Sequence, residues 1–129
     1  MSYDNPKITT FKDLIAWQKS HQLVIEIYKN SKSFPKEETF GLTNQIRRAA
    51  VSISSNIAEG FGRRSADDRA RFYDMARASL NEVQSQLLIA KDIDFLSNDV
   101  YTDLEVKTVE AHKLLTGLIN KTKSMSKDS

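Results

Sequence analysis

Seven arginines are the residues of this chain best suited to chemistry, and all fall between positions 47 and 77: Arg47, Arg48, Arg63, Arg64, Arg69, Arg71 and Arg77. The other twelve basic residues are lysines outside that window. A guanidinium presents a planar fork of N–H donors that fits phosphate or carboxylate bidentately, so the clustering reads as a phosphate-contacting patch. Four acids share the window, namely Glu59, Asp67, Asp68 and Asp74. They support the opposite reading, in which the arginines are neutralised by ion pairs within or between subunits. Phe61, Phe72 and Tyr73 offer rings for base stacking, although Phe72 fits a core position better.

Other constellations fall short of a reaction. A di-iron bundle needs Glu-x-x-His on two helices, but Gln18 and Val109 stand three residues before His21 and His112. With no cysteine there is no thiolate ligand, no disulfide and no cysteine nucleophile. Ser52, Ser54 and Ser55 sit within a helical pattern rather than in a strained nucleophile elbow. Gly60-Phe61-Gly62 follows a helix, lacks a third glycine and has no Lys-Ser/Thr, so it reads as a left-handed helix cap and not as a phosphate loop. His21 is expected as a hydrogen-bonded core or rim residue. Neither an enzyme nor a cofactor or metal is expected.

The elements that must position the arginines are legible in composition and period. At 129 residues the chain is the size of one domain, and 40% hydrophobic with 28% charged residues suits a folded one. The formal charge is only +2. Residues Met1 to Thr10 lack the apolar segment of a signal peptide, and the longest apolar run is Leu87 to Ala90. A cytoplasmic protein without a membrane partner is expected.

Phe34-Pro35, Gly60-Phe61-Gly62 and Ser97-Asn98-Asp99 divide the chain into four stretches of helical period. The first places Leu14, Trp17, His21, Val24, Ile25 and Tyr28 on one face, after a Thr10/Asp13 capping box. The second turns Leu42, Ile46, Ala49, Ala50, Ile53 and Ile57 inward. Its far side is unusual, because no charged residue occurs from Ala49 to Ala58. Val51, Ser54, Ser55 and Ala58 lie there as candidates for a covered contact. The third, capped by Ser65 with Asp67 and Asp68 in its first turn, offers Phe72, Ala76, Ser79, Val83, Leu87 and Ala90. The fourth offers Val100, Leu104, Ala111, Leu115 and Leu118, with a weaker middle at Lys107 and Thr108. Short connections between such helices imply an all-α, antiparallel up-and-down four-helix bundle. It is expected over residues 11–121, between an N-terminal arm (1–10) and a flexible Lys/Ser tail (122–129).

Several motifs together resemble one family. They are Phe11-x-x-Leu14-x-x-Trp17-Gln18-Lys19, Phe34-Pro35-x-Glu37-Glu38 and Leu42-x-x-Gln45-Ile46-Arg47-Arg48-Ala49-Ala50-Val51-Ser52-Ile53. Ser55-Asn56-Ile57-Ala58-Glu59-Gly60-Phe61-x-Arg63, Ser79-Leu80-x-Glu82 and Gln86-Leu87 complete the set. The chain is similar to the four-helix-bundle proteins encoded in intervening sequences of bacterial 23S rRNA genes, from about Phe11 to Lys121. Ser54 and Ala78 stand where that family often has Pro and Gly, and both favour a more regular helix. The resemblance implies an up-and-down bundle, a ring-like homopentamer, and kinship with the retroelement accessory protein that binds a reverse transcriptase and nucleic acid. In such a ring Val51, Ser54, Ser55 and Ala58 would meet a neighbour, and Asn56, Glu59 and Arg63 would serve as interface or capping groups.

The expected function is a non-enzymatic homo-oligomeric adaptor for rRNA, other structured RNA or a nucleic-acid-processing protein, working through the arginines. The alternative is a protein–protein scaffold with no nucleic-acid role.

Overall fold

A computed structural model describes residues 7–127. The described residues form four α-helices: α1 (Ile15–Ser31), α2 (Leu42–Phe61), α3 (Ala66–Asp92) and α4 (Asn98–Lys127). Short 3-10 turns at Phe11–Asp13 and Lys36–Glu38 precede α1 and α2, and the described residues contain no strand. α1 packs on α2 and α4, and α3 packs on α2 and α4, so α1 and α3 are diagonal. Cross-helix pairs run in opposite senses. Along α3 and α4, Arg77 meets Thr116 and Gln84 meets Thr108. Along α1 and α4, Lys19 faces Glu110 and Glu26 faces Lys107. This is the four-helix bundle that the periodicity implies.

The core follows the expected stripe most closely in α2, where Ile46, Ala49, Ala50, Ile53 and Ile57 are buried. Each large aliphatic side chain sealed there contributes roughly 1.5–3 kcal/mol. In α1 the buried face is rotated from the expectation. Ala16, Ser20, Leu23, Val24, Ile27 and Ser31 face inward, while His21, Ile25 and Tyr28 are exposed. Half of the inward side is small residues, Ala16, Ser20 and Ser31, which allow close helix approach and carry little weight in a hydrophobic pattern. The expected α1 stripe is instead the rim beside α2, with Trp17 held edge-on by Phe11 and stacked on His21.

Adjacent aromatics in α3 exchange their expected roles. Tyr73 is 2% exposed and Phe72 lies at the rim, one residue of rotation away from the expected phase. In α4, Thr108 is fully buried; its hydroxyl donates to the Glu105 carbonyl and accepts from the Gln84 amide. Those bonds meet the hydrogen-bonding needs of a buried hydroxyl, which explains how a stripe with a polar middle still packs. Ile119 completes that stripe and was not among the expected residues.

The helix ends also depart from expectation. Thr10 and Asp13 form a capping box, but around the 3-10 turn Phe11–Asp13 rather than α1. Two backbone N–H groups, of Thr9 and Thr10, and the Thr9 hydroxyl donate to Asp13, and they hold its carboxyl below the usual range. No glycine has positive φ, and Gly62 ends α2 at φ −81°, so the left-handed glycine cap is not formed. The positive φ occurs at Asp94, where the chain leaves α3. Gly60 is needed for space instead. A Cβ there would lie 2.8 Å from Tyr73 Cε1 and 2.9 Å from Phe72 Cβ, so α3 approaches α2 at van der Waals contact. Helix α4 continues to Lys127 with Thr122 buried, so the segment expected as a tail from 122 is helical over most of its length. Residues 1–6 of the expected arm and 128–129 of the tail lie outside the described residues.

Candidate nucleic-acid interface

The fold does not gather the seven arginines into one patch. Helix α2 has 20 residues, about 30 Å of helix, so Arg47 and Arg48 near its start are far from Arg63 and Arg64 beyond its end. Arg77 stands apart again, in the α3–α4 groove.

Arg47 is tied into the fold. Its Nε donates to Ser31 Oγ at 2.8 Å and an Nη to the Tyr28 carbonyl at 3.3 Å. Its guanidinium also lies 4.8 Å from the Tyr28 ring centroid. Arg48, one residue on, is exposed beside a shallow depression shared with Phe40, Asn44 and Glu82. Arg77 bridges helices, donating to Asp74 at 3.0 Å and to Thr116 Oγ1 at 3.3 Å.

The other four meet where α2 turns into α3. Arg63 pairs with Glu59 at 3.3 Å and approaches Asp68 at 3.8 Å. Arg71 makes a two-pronged contact with Asp68, at 2.9 and 3.2 Å. Both guanidinium groups stand over the Phe72 ring, at 4.3 and 4.7 Å. Phe72, offered as a stacking ring but expected to fit a core position better, is therefore the platform of this corner. Cation–π contacts at such partly exposed sites contribute about 0.5–1 kcal/mol, and the exposed ion pairs about 0–1 kcal/mol. Arg69 is turned inward, its Nε donating to the Arg63 carbonyl at 2.7 Å, which fixes the loop. Arg64 is exposed, and among the described residues no hydrogen bond or ion pair engages its guanidinium.

Local sequence explains why the corner forms. Ser65 Oγ accepts the Asp68 N–H at 3.0 Å and caps α3 after a four-residue connection from α2. Gly60 lets Phe72 and Tyr73 close against α2. The last turns of α4 are drawn alongside, since Lys123 lies 3.8 Å from Asp74 and Ser126 donates to Asp67. Asp67, expected among the arginine partners, is used in that contact. The corner thus carries two arginines offset by carboxylates, Arg63 and Arg71, and two without acidic partners among the described residues, Arg64 and Arg69.

The uncharged side of α2 is open to solvent in the single chain. Val51 is 39% exposed, Ser55 is exposed, and Ser54 and Ala58 are half-buried. Asn56 and Ser52 bond to one another inside this helix, and Ser79 of α3 donates to Ser52 at 2.9 Å. No group of three His, Asp or Glu side chains gathers where a metal ion would be held, among the described residues. No helix is long and apolar enough to cross a membrane, again among the described residues.

Among solved structures, the fold is similar to a protein of unknown function from the S23 ribosomal protein family of Bacteroides thetaiotaomicron. The TM-score is 0.73 at 24% identity, covering 81% of this chain and 98% of that one. No curated protein matches the sequence. The profile described as 23S rRNA-intervening sequence protein matches residues 12–117, which contain α1, α2 and α3 whole, the larger part of α4 and all seven arginines. The chain belongs to the 23S rRNA-intervening sequence protein family.

Proposed function

We propose that this protein is a non-enzymatic, cytoplasmic, self-associating adaptor that holds structured RNA, rRNA among the candidates, or an RNA-bound processing protein by its phosphates. The observation that carries this reading is the α2–α3 corner. Four arginines belong to that corner; the guanidinium groups of Arg63 and Arg71 stand over Phe72 and are paired with Glu59 and Asp68, while Arg64 is exposed and Arg69 donates to the Arg63 carbonyl. Arg64 and Arg71 are exposed and Phe72 backs the Arg63 and Arg71 guanidinium planes, a combination of charge and stacked planes that single-stranded or looped RNA uses. A ring of copies, the homopentamer implied by the family resemblance, would repeat the corner and give several phosphate contacts from a chain of net charge +2.

The test is binding of an rRNA fragment at 50 and 200 mM salt. A site making about 6–10 phosphate contacts loses roughly 10³–10⁵ in affinity over that range. Absence of binding at 50 mM, or equal affinity at both, sinks the proposal.

The second reading is a protein–protein scaffold, favoured by the solvent-facing apolar and small residues of α1 and α2, including Ile25, Val51 and Ala58. Retained assembly without any RNA affinity would select it.

A further inference from the structure

The depression beside Arg48 collects side chains that the α2–α3 corner leaves unused. Gln45, Arg48 and Ser52 come from the Leu42–Ile53 motif of α2, and Ser79 and Glu82 from the Ser79–Glu82 motif of α3. The packing of α2 on α3 sets them around one opening. Its volume is about 430 Å³, within the roughly 300–1,000 Å³ of ligand sites. Phe40 stands at this opening, in the turn before α2, and is 93% exposed. No other ring packs on it among the described residues.

The polar groups there are ready to bond. Ser52 accepts from Ser79 at 2.9 Å and from Asn56 at 3.0 Å, so its own hydroxyl hydrogen is left to donate. Glu82 accepts from the amide of buried Gln86 at 3.1 Å, which orients its carboxylate. Arg48 and Glu82 are both exposed and line the same opening, yet they form no ion pair. Nor does any hydrogen bond engage the Arg48 or Gln45 side chain among the described residues. A cation and an anion held apart across one opening suit a ligand with acceptors on one edge and donors on another.

We infer that this depression takes one unstacked guanine base of a bound RNA strand. The inference rests on the RNA reading proposed above and adds a base-reading site to the phosphate-reading corner. A guanidinium presents two parallel donors and matches two adjacent acceptors, which guanine offers at O6 and N7. A carboxylate presents two acceptors and matches two adjacent donors, which guanine offers at N1–H and the N2 amine. Adenine and cytosine set a donor beside an acceptor on the corresponding edges, and uracil has a single N–H, so none of them satisfies both groups. Phe40 gives the base a face to stack on. The base is neutral, so phosphate contact stays with the corner, which lies about 20 Å further along α2. Roughly six stacked nucleotides span that distance.

The experiment compares RNA single strands of about ten nucleotides, long enough to span corner and depression, that differ at one base. The strand with guanine is expected to bind about 5- to 150-fold more tightly than its adenine counterpart, the range of one good two-pronged base contact. Inosine lacks the N2 amine and 7-deazaguanine lacks N7, and each should lose part of that gain. Glu82→Gln should erase the difference between guanine and inosine, and Arg48→Gln that between guanine and 7-deazaguanine. Both side chains are exposed, circular dichroism checks the fold, and the salt slope should not change. A titration with guanosine, which carries no phosphate, is read by NMR at the Gln45 amide and the Phe40 ring. If RNA binds equally with guanine or adenine, or the variants keep the guanine preference, the depression reads no base and the corner acts alone. If no RNA binds but guanosine moves those signals, the depression is upheld and the RNA reading falls. If no RNA binds and guanosine moves nothing, both fall.

Discussion

The two ends of α2 carry the same residue type and use it in opposite ways. At its start, Arg47 spends its donors on Ser31 and the Tyr28 carbonyl and covers the Tyr28 ring, so it fastens α2 to the end of α1. At its far end, Arg63 and Arg71 lie over Phe72 with acids on their flanks, and Arg64 is exposed with no ion pair among the described residues. An arginine that bonds to neutral oxygens inside the fold is structural. In the proposed reading, the exposed arginines of the corner are the ones that an anion from outside would meet. The division runs through a window that is continuous in the sequence, and it makes the two ends separable by experiment.

The largest effect should come from removing the space on which the corner depends. Gly60→Ala places a methyl group against Tyr73 and Phe72, and Tyr73 is buried. Ala favours a helix by about 1 kcal/mol, yet the overpacking should leave a net loss of about 1–3 kcal/mol, read as a lower denaturant midpoint. Unchanged stability would mean that α3 is not pressed against α2 at that point.

Arg47→Gln should come next. It removes two hydrogen bonds and a ring contact at a half-buried site, for about 1–2 kcal/mol of stability, and should leave RNA affinity as it was. Arg64→Gln should do the reverse, changing stability by less than about 0.5 kcal/mol and lowering the salt slope of RNA binding by about 1. Equal behaviour of these two variants would erase the distinction between the ends.

The smallest effect concerns the turn before α1. The Thr9 and Thr10 groups that donate to Asp13 lower its folded-state pKa, so their contribution is present above the ordinary carboxylate value of about 3.9 and is lost as pH falls through the folded value. Asp13→Asn should therefore lessen the loss of stability on acidification below about pH 4. An identical acid response in both proteins would remove the capping box from the account.

Much of the architecture was legible in the sequence because α2 announces its core with Ile46, Ile53 and Ile57 at helical spacing, and all three are buried. The phase of α1 was less legible, since Ala16, Ser20 and Ser31 look neutral in a pattern while Trp17 and Tyr28 dominate it. The corner was half-legible. The arginine window named its members, but assigning the platform to Phe72 required knowing that Tyr73 is the one that closes over Gly60. Nor could spacing alone send Asp67 to Ser126 rather than to an arginine, because that contact joins residues 59 positions apart. The depression beside Arg48 was not legible as a site, because Arg48 and Glu82 belong to separate helices and meet only when α2 and α3 are placed side by side.

The central claim is that anion contact belongs to the α2–α3 corner and not to the start of α2. The measurement is a salt titration of rRNA-fragment binding between 50 and 200 mM for the unaltered chain, an Arg64→Gln/Arg71→Gln variant and Arg47→Gln. The account predicts a slope lowered by about 2 for the corner variant, with weaker binding, and an unchanged slope for Arg47→Gln. A slope that falls equally in both, or that is zero in the unaltered chain, contradicts it.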